Sequence, residues 1–182
     1  MMIITITGHP GSGKTTVGKQ IASKLGYDFV SIGDLRGELA KEKGITINEL
    51  NKIGETEDWT DKQVDEKQKE LAKKDNIVFD SRLGFHLIPD SVKIFLDIDE
   101  KIAAQRMMKT ERTDELIGKT IEEQVKLIRE RTESDNKRYQ KYYGVKFNKK
   151  EKFDLWLDTS NLSKKEVVEK IMGFLEKFDQ KD

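Results

Sequence analysis

The nine residues "GHPGSGKTT" (8–16) decide the fold of this chain. They follow the apolar run "MMIITIT" (1–7) and fit the pattern G-x-x-x-x-G-K-[ST] in full, from Gly8 through Lys14 and Thr15. Between a strand and a helix, such glycines let consecutive backbone N–H groups and the positive helix end face an anion. The sequence therefore predicts a loop that binds the phosphates of a nucleotide; the alternative is a glycine-rich turn that binds nothing.

The side chains of this loop indicate what each one does. Lys14 supplies a compact positive charge for the β and γ phosphates, and the hydroxyl of Thr15 is suited to ligate Mg²⁺. His9 is expected to fill space, and we assign it no catalytic role. The further residues predicted to bind the nucleotide here are Gly8, His9, Pro10, Gly11, Ser12, Gly13 and Thr16.

Length and composition narrow the class of protein. The 182 residues suit one domain, and the balance of 34 Lys and Arg against 34 Asp and Glu gives no overall basic field for long nucleic acid. The chain has no cysteine, which excludes disulfides and thiolate zinc sites and is typical of a reducing cytoplasm. No apolar run approaches the ~20 residues of a membrane span. We therefore expect a cytoplasmic protein.

Strand-length and helical patterns alternate along the chain. Strands are predicted at 2–7, 27–32, 76–80, 92–98 and 153–158. Helices are predicted at 13–25, 34–43, 47–54, 60–74, 100–112, 120–142 and 163–178. Strands separated by helices favour right-handed crossovers, and hence a parallel α/β sheet covered on both faces.

The loop alone is compatible with GTPases, motor ATPases, DNA-processing enzymes and kinases. A GTPase should carry an N-K-x-D motif after a strand, and the chain has none. Motor ATPases generally need a larger core. Basic residues instead follow several predicted strands, which suits an enzyme that binds two phosphate-bearing ligands end to end.

Five longer stretches of the sequence resemble those of a known protein family. The chain resembles the nucleoside monophosphate kinases, and most closely the short cytidylate kinases of archaeal type, through "SIGDLRGELAKEKGITINELN" (31–51), "KELAKKDNIVFDSRLGF" (69–85), "VKIFLDID" (92–99), "RERTESDNKRYQKYYG" (129–144) and "FDLWLDTSNLS" (153–163). Where relatives often have Glu-Gly-Arg after the third strand, this chain has Asp-Ser-Arg at 80–82.

The resemblance implies an architecture. It is that of a P-loop NTPase: a single three-layer α/β/α domain over 1–182 with a five-stranded parallel sheet of order 2-3-1-4-5. An acceptor-binding helical region is expected at 34–74 and a short lid at 111–120. "ERTDELIGKT" (111–120) is also the most loop-like break between two long predicted helices.

The resemblance also implies site residues. Lys14, Arg112, Arg131 and Arg138 are expected to be catalytic, and Arg106 is expected to lie over the adenine of ATP. Asp80 ends a strand beside the phosphate loop, where a carboxylate helps Thr15 to hold Mg²⁺. The residues expected to bind the acceptor are Ser31, Gly33, Asp34, Arg36, Asp61, Asp65 and Arg82.

Several of these residues also have simple structural interpretations. Asp34 is suited to cap a helix, and Arg131 and Arg138 could form a surface ion-pair ladder with Asp135. The segment "DWTDKQVDEKQKE" (58–70), which contains Asp61, Asp65 and their polar neighbour Gln68, has the composition of a solvated helix face. Three tyrosines later in the chain are expected to pack the domain rather than stack on a base, namely Tyr139, Tyr142 and Tyr143.

The function that follows is transfer of the γ-phosphoryl group of Mg²⁺-ATP to a nucleoside monophosphate. CMP is the expected acceptor and dCMP a second one, with UMP, AMP and GMP poor. The alternatives are an adenylate kinase, a shikimate kinase-like enzyme, suggested by "GITINELNKIGETE" (44–57), and a nucleotide-binding switch without catalysis. We expect a monomer that binds small nucleotides and neither long nucleic acid nor a membrane.

Overall fold

The computed structural model describes residues 2–109 and 117–179. Its strands are β1 (Ile3–Gly8), β2 (Asp28–Ser31), β3 (Ile77–Asp80), β4 (Val92–Asp97) and β5 (Leu155–Asp158). They form one parallel sheet in the order β2-β3-β1-β4-β5, which confirms the predicted topology.

Helices connect the strands. They are α1 (Lys14–Leu25), α2 (Ile32–Glu42), α3 (Ile47–Thr56), α4 (Trp59–Leu71), α5 (Gly84–Leu87), α6 (Glu100–Met108), α7 (Ile121–Tyr143) and α8 (Lys164–Asp179). A 3-10 turn at Lys150–Lys152 precedes β5. No helix within the described ranges is long and apolar enough to cross a membrane.

The central strands are buried on both faces. Ile4 and Ile6 of β1 are fully buried in an apolar cluster with residues of α1 and α8. On the opposite face Phe95 of β4 packs with Phe147 and with Tyr139 of α7. Because side chains alternate along a strand, helices on both sides are needed to bury such a sheet. The result is the three-layer α/β/α arrangement.

Helices α2, α3 and α4 pack largely on one another. Leu39, Ala40, Leu50 and Val64 form an apolar cluster of their own, separate from that of the central strands. These helices span 32–71 and so correspond closely to 34–74, the region expected to bind the acceptor.

The structure differs from the sequence predictions at some element ends. The prediction that Asp34 caps α2 is wrong: Ser31 is the N-cap, its Oγ accepts from the Asp34 N–H at 3.1 Å, and Asp34 lies within the first turn. Helix α5 was not predicted, because four residues are too few for a helical period to show. β5 begins two residues later than predicted, because Phe153 and Asp154 form the connection between the 3-10 turn and the strand.

Most of the predicted lid lies outside the described residues. The structure omits 110–116, so it says nothing of the placement of Arg112. Residues 117–120 lead into α7, where the Thr120 hydroxyl accepts from the N–H of Glu123 and caps the helix. The lid at 111–120 therefore stays a prediction.

Candidate active site

The phosphate loop joins the end of β1 to α1 and lies tightly against neighbouring backbone. A Cβ on Gly8 would lie 2.3 Å from the Leu96 carbonyl oxygen, and one on Gly11 would lie 2.9 Å from the Ala103 carbonyl oxygen. Gly13, just before α1, has φ +89°, which side chains other than glycine rarely adopt. The three glycines are therefore required by the shape of this loop.

Two polar groups of the loop are placed to meet an anion. The Lys14 ammonium donates to the His9 carbonyl at 3.0 Å, which holds it over the loop. The Ser12 hydroxyl is buried and has no hydrogen-bond partner among the described residues. A buried hydroxyl without a partner is costly, so a ligand oxygen here would be stabilising. Both observations suit a bound phosphate.

The His9 side chain is packed against aromatic rings. Its ring meets those of Phe95 and Phe147 edge-on, with centroids 5.4 and 5.9 Å away. Burial lowers the pKa of His9, and the nearby Asp97 carboxylate only partly opposes this. The imidazole is neutral at neutral pH, which agrees with the expectation that it fills space.

Thr15 and Asp80 meet at the ends of α1 and β3. The Thr15 hydroxyl donates to Asp80 Oδ2 at 2.5 Å, and Asp80 is buried. One hydroxyl and one carboxylate are hard oxygen donors of the kind Mg²⁺ takes beside nucleotide phosphates. Within the described residues no group of three acidic, His or Cys side chains could hold a metal. The pair therefore fits an ion that arrives with ATP rather than a metal cage formed by the protein alone.

Three arginines and two aspartates alternate through the interior next to this pair. Arg36 of α2 donates from Nη1 to Asp61 Oδ1 at 2.8 Å, and the Nε of Arg138 lies 2.7 Å from Asp61 Oδ2. Arg138 then donates from Nη2 to Asp135 Oδ1 at 2.9 Å, and Asp135 Oδ2 lies 2.8 Å from Nη1 of Arg82. We call these five residues the buried charge chain. It brings together groups from α2, α4, α7 and the segment after β3.

This chain of charges replaces the predicted surface ladder. Arg138 is only 4% exposed and Asp135 only 7%, so the interpretation as a solvated ion-pair ladder is wrong for both. Burial alone would raise the pKa of Asp135, but the charges of Arg82 and Arg138 outweigh it and hold that pKa below its usual value. The carboxylate is therefore ionised at neutral pH.

The buried charge chain has one positive charge in excess and unpaired donors. Three guanidinium groups face two carboxylates, and the Arg36 Nη2 and Arg138 Nη1 groups are buried without a hydrogen-bond partner in the described structure. The Arg82 guanidinium also lies 4.9 Å over the Phe147 ring, which orients its plane. Buried cationic donors without acceptors are a binding environment for a phosphate.

Helix α4 buries further polar residues besides the one that belongs to the buried charge chain. Asp61, Asp65 and Gln68 are all buried, so the interpretation of this segment as a solvated face is wrong. The Tyr143 hydroxyl donates to Asp65 Oδ2, and Gln68 Oε1 accepts from the Ser81 hydroxyl at 2.9 Å. The Gln68 Nε2 group is buried without a partner in the described residues. Residues 61, 65 and 68 are spaced four and three apart, so their polar side chains lie on one face of α4.

The remaining predicted residues are placed less centrally. Gly33 and Asp34 are exposed near the start of α2, and Arg131 is exposed on α7. Arg106 donates from Nη2 to the carbonyls of Thr159, Ser160 and Leu162 at 2.9 to 3.3 Å, so it orders the loop after β5. Gly33, Asp34 and Arg106 are thus not part of the charge chain, whereas the charge of Arg131 helps to lower the pKa of Asp135.

Sequence reasoning missed two supporting residues. Asn51 accepts from the Arg36 Nε at 2.9 Å, and Tyr143 holds Asp65. Neither belongs to a motif, since each acts across helices. Gly54 of α3 was also overlooked: a Cβ there would lie 2.8 Å from the Thr60 hydroxyl and 3.3 Å from Nη2 of Arg36.

Comparison with known proteins identifies the family to which the chain belongs. Residues 3–161 match the model of the "Cytidylate kinase-like family". The chain is 38% identical over 165 residues to a "Cytidylate kinase" of Natronomonas pharaonis, covering 89% of this chain and 83% of the relative. It is 36% identical over 176 residues to an "S-adenosylmethionine-dependent nucleotide dehydratase" of Lacinutrix mariniflava, covering 96% of this chain but only 36% of that longer relative.

The fold also matches solved structures. A shikimate kinase from Bacteroides thetaiotaomicron superposes with a TM-score of 0.69 at 18% identity, covering 96% of this chain and 98% of the other. At that identity the likeness supports the α/β kinase fold and no particular substrate.

Proposed function

Because the chain belongs to the cytidylate kinase-like family, we propose that it transfers the γ-phosphoryl group of ATP to CMP, with dCMP as a second acceptor. The family makes it an ATP-dependent phosphotransferase. The dehydratase relative does not bear on this activity, since the chain spans about a third of its length. The choice of CMP is the specific part of the proposal.

The buried charge chain is the observation that carries the proposal. Arg36, Arg82 and Arg138 approach one another from three parts of the fold, and Arg36 Nη2 and Arg138 Nη1 are buried without acceptors among the described residues. A nucleotide's 5′-phosphate has the charge and the several oxygens needed to occupy them. Asp61 and Asp135 keep the arginines apart and oriented before it arrives.

The reaction needs little covalent chemistry from the protein. The acceptor phosphate is already an ionised nucleophile near neutral pH, so no general base is required. Lys14 neutralises charge on the transferring group, while Arg36 and Arg82 hold the acceptor phosphate in line. Thr15 and Asp80 would hold Mg²⁺, which supplies further charge neutralisation on the ATP phosphates.

Arg131, Arg138 and Arg112 are proposed to complete the site from α7 and the lid. Closing the lid over the bound nucleotides would exclude water and suppress hydrolysis of ATP. In this proposal 111–120 is the lid and 34–74 is the acceptor-binding region, with Gly33 and Asp34 at its edge. Arg106 is proposed to lie at the adenine end, where it orders the loop after β5.

The base is proposed to meet the buried face of α4. Cytosine presents an amino donor next to a ring acceptor, which complements the Asp65 carboxylate and the unpaired Nε2 donor of Gln68. Uracil has a carbonyl where cytosine has its amino group, so it would set oxygen against the carboxylate. Ser31 at the end of β2, whose hydroxyl caps α2, is proposed as a further polar group for the acceptor.

A panel of acceptors tests the proposal. Purified protein with Mg²⁺-ATP is assayed for ADP release with CMP, dCMP, UMP, AMP, GMP and shikimate. We expect CMP to exceed UMP by roughly ten- to a hundredfold in kcat/KM, since one mispaired buried polar group costs ~1–3 kcal/mol. The Lys14→Ala protein, prepared identically, measures any contaminating kinase.

Three other outcomes of this assay would each change the assigned function. AMP as the best acceptor would make the chain an adenylate kinase, and shikimate as the best would make it a shikimate kinase. ATP binding without turnover of any acceptor would instead indicate a nucleotide-binding switch.

A further inference from the structure

Tyr143, the last residue of α7, makes a contact that the reaction itself does not explain. Its hydroxyl reaches α4 and donates to Asp65 Oδ2. Among the described residues no other hydrogen bond is made to the Asp65 side chain. The ring is half-buried beside His86 and Tyr139. The orientation of the Asp65 carboxylate therefore depends on this one tyrosine.

The charged groups around Asp65 leave its protonation state sensitive to that contact. Burial is the main reason that the pKa of Asp65 is raised to about 6. The hydrogen bond from Tyr143 lowers it, the Asp61 charge raises it, and Lys69 and Arg36 lower it more weakly. Without the tyrosine hydroxyl, the carboxyl group would hold its proton to higher pH.

A protonated Asp65 and an ionised one prefer different bases. The ionised carboxylate, with Oδ2 fixed by the phenol, has Oδ1 left to accept from the amino group of cytosine. The protonated acid, or a carboxyl free to rotate, can donate to the carbonyl that uracil has at the same place. The hydroxyl of Tyr143 favours the first state.

We propose that Tyr143 is a positioning residue that sets the preference for cytosine over uracil by holding Asp65 as an oriented acceptor. The inference rests on the proposed function and assigns a specificity role to a residue outside the phosphate-binding groups. It requires no contact between Tyr143 and either nucleotide.

The test compares Tyr143→Phe with Tyr142→Phe, using CMP and UMP as acceptors. Tyr142 is the adjacent tyrosine, and its hydroxyl contacts the ammonium of Lys141 rather than α4. For Tyr143→Phe we expect kcat/KM for CMP to fall roughly tenfold, mainly through KM, while the value for UMP stays or rises. Tyr142→Phe should leave the ratio of the two unchanged.

A double-mutant cycle separates action through Asp65 from any other role. Asp65→Asn alone should reduce the CMP-to-UMP ratio, and adding Tyr143→Phe to it should reduce the ratio no further. Additive effects would overturn the proposal, as would an equal loss for both acceptors in Tyr143→Phe or no loss at all. A wild-type protein that prefers AMP or shikimate would instead refute the proposed function, so the two failures are distinguishable.

Discussion

Lys14 is the residue on which the proposed ATP site depends most directly. Its ammonium is held by the His9 carbonyl at the start of α1, where it would offset the charge that grows on a transferring phosphoryl group. We predict that Lys14→Ala lowers kcat at least ~100-fold while the protein remains folded. Lys24→Ala, an exposed lysine at the other end of the same helix, is the matched control for kinetics and thermal melting.

Near-normal turnover in a folded Lys14→Ala protein would contradict the assignment of the loop as the ATP site. The same result would leave the fold untouched, since the loop's shape depends on its glycines rather than on this side chain.

Burial of the Asp65 carboxylate costs stability. A pKa that rises from 3.8 to about 6, chiefly through burial, makes the ionised folded form less stable by about 3 kcal/mol. The unfolded chain ionises first, so this cost appears as the pH rises from about 4 to about 6 and stays constant above. Asn keeps the shape and an oxygen that accepts from Tyr143 without the charge.

We therefore predict that Asp65→Asn raises the free energy of unfolding at pH 7.5, by up to about 3 kcal/mol, and that the gain shrinks toward pH 4.5. Urea unfolding at both pH values measures it. Glu66→Gln, an exposed neighbour on α4, controls for removal of one negative charge. A variant less stable than wild type at pH 7.5 would show that the carboxylate is stabilised by its surroundings.

At the scale of elements, α7 carries arginines in three different environments. Arg131 is exposed, Arg138 is buried between Asp61 and Asp135, and Arg129 pairs on the surface with Glu100 at 2.6 Å. The helix therefore provides its own controls, because a solvated ion pair contributes under ~1 kcal/mol and a buried one much more once a partner is lost.

We predict that Arg131→Ala reduces kcat/KM ~100-fold with a stability change under ~1 kcal/mol, and that Arg129→Ala changes neither. Arg138→Ala should lose activity and also ~3–5 kcal/mol of stability, since it leaves Asp61 and Asp135 short of positive charge. Kinetics and thermal melts on the three proteins are the measurement. Full activity of Arg131→Ala would remove that residue from the catalytic group.

At the scale of the whole molecule, local patterns predicted the sheet and the donor loop. β1, the glycines and α1 are adjacent in sequence, so the pattern could be recognised locally, although the backbone at Leu96 and Ala103 also requires glycine at Gly8 and Gly11. The sheet order came from a resemblance spread over most of the chain, and it is correct.

The acceptor side was less predictable because its partners are far apart in sequence. A helix with charges at Asp61 and Asp65 has a solvated composition. Their burial is tolerable because Arg36 from α2 and, more than 70 residues later, Arg138 and Tyr143 contact the two carboxylates. The burial of Asp135 was hidden for a similar reason, because its spacing suits a surface ladder and its partner Arg82 lies far from it in sequence.

The packing of α2–α4 predicts that these helices open locally more easily than the central sheet. Helices α2–α4 have their own small apolar cluster, and α7 meets α3 and α4 through polar contacts. Examples are Ser134 to Glu55 at 2.7 Å and Arg138 to Asp61 at 2.7 Å. Regions with few buried apolar contacts to the main core open at lower free energy than the core strands. The amides of α3 and α4 should therefore exchange with solvent faster than those of β1 and β4.

We predict that CMP at ~100 times its dissociation constant slows exchange in α3 and α4 by up to ~100-fold, since binding adds ~2.7 kcal/mol to any opening that destroys the site. Cytidine at the same concentration should protect these helices far less, because it lacks the phosphate that is proposed to pair with Arg36, Arg82 and Arg138. Hydrogen exchange followed by mass spectrometry measures both ligands on one preparation. Equal protection by cytidine would mean that the base, rather than the buried charge chain, draws the acceptor region closed.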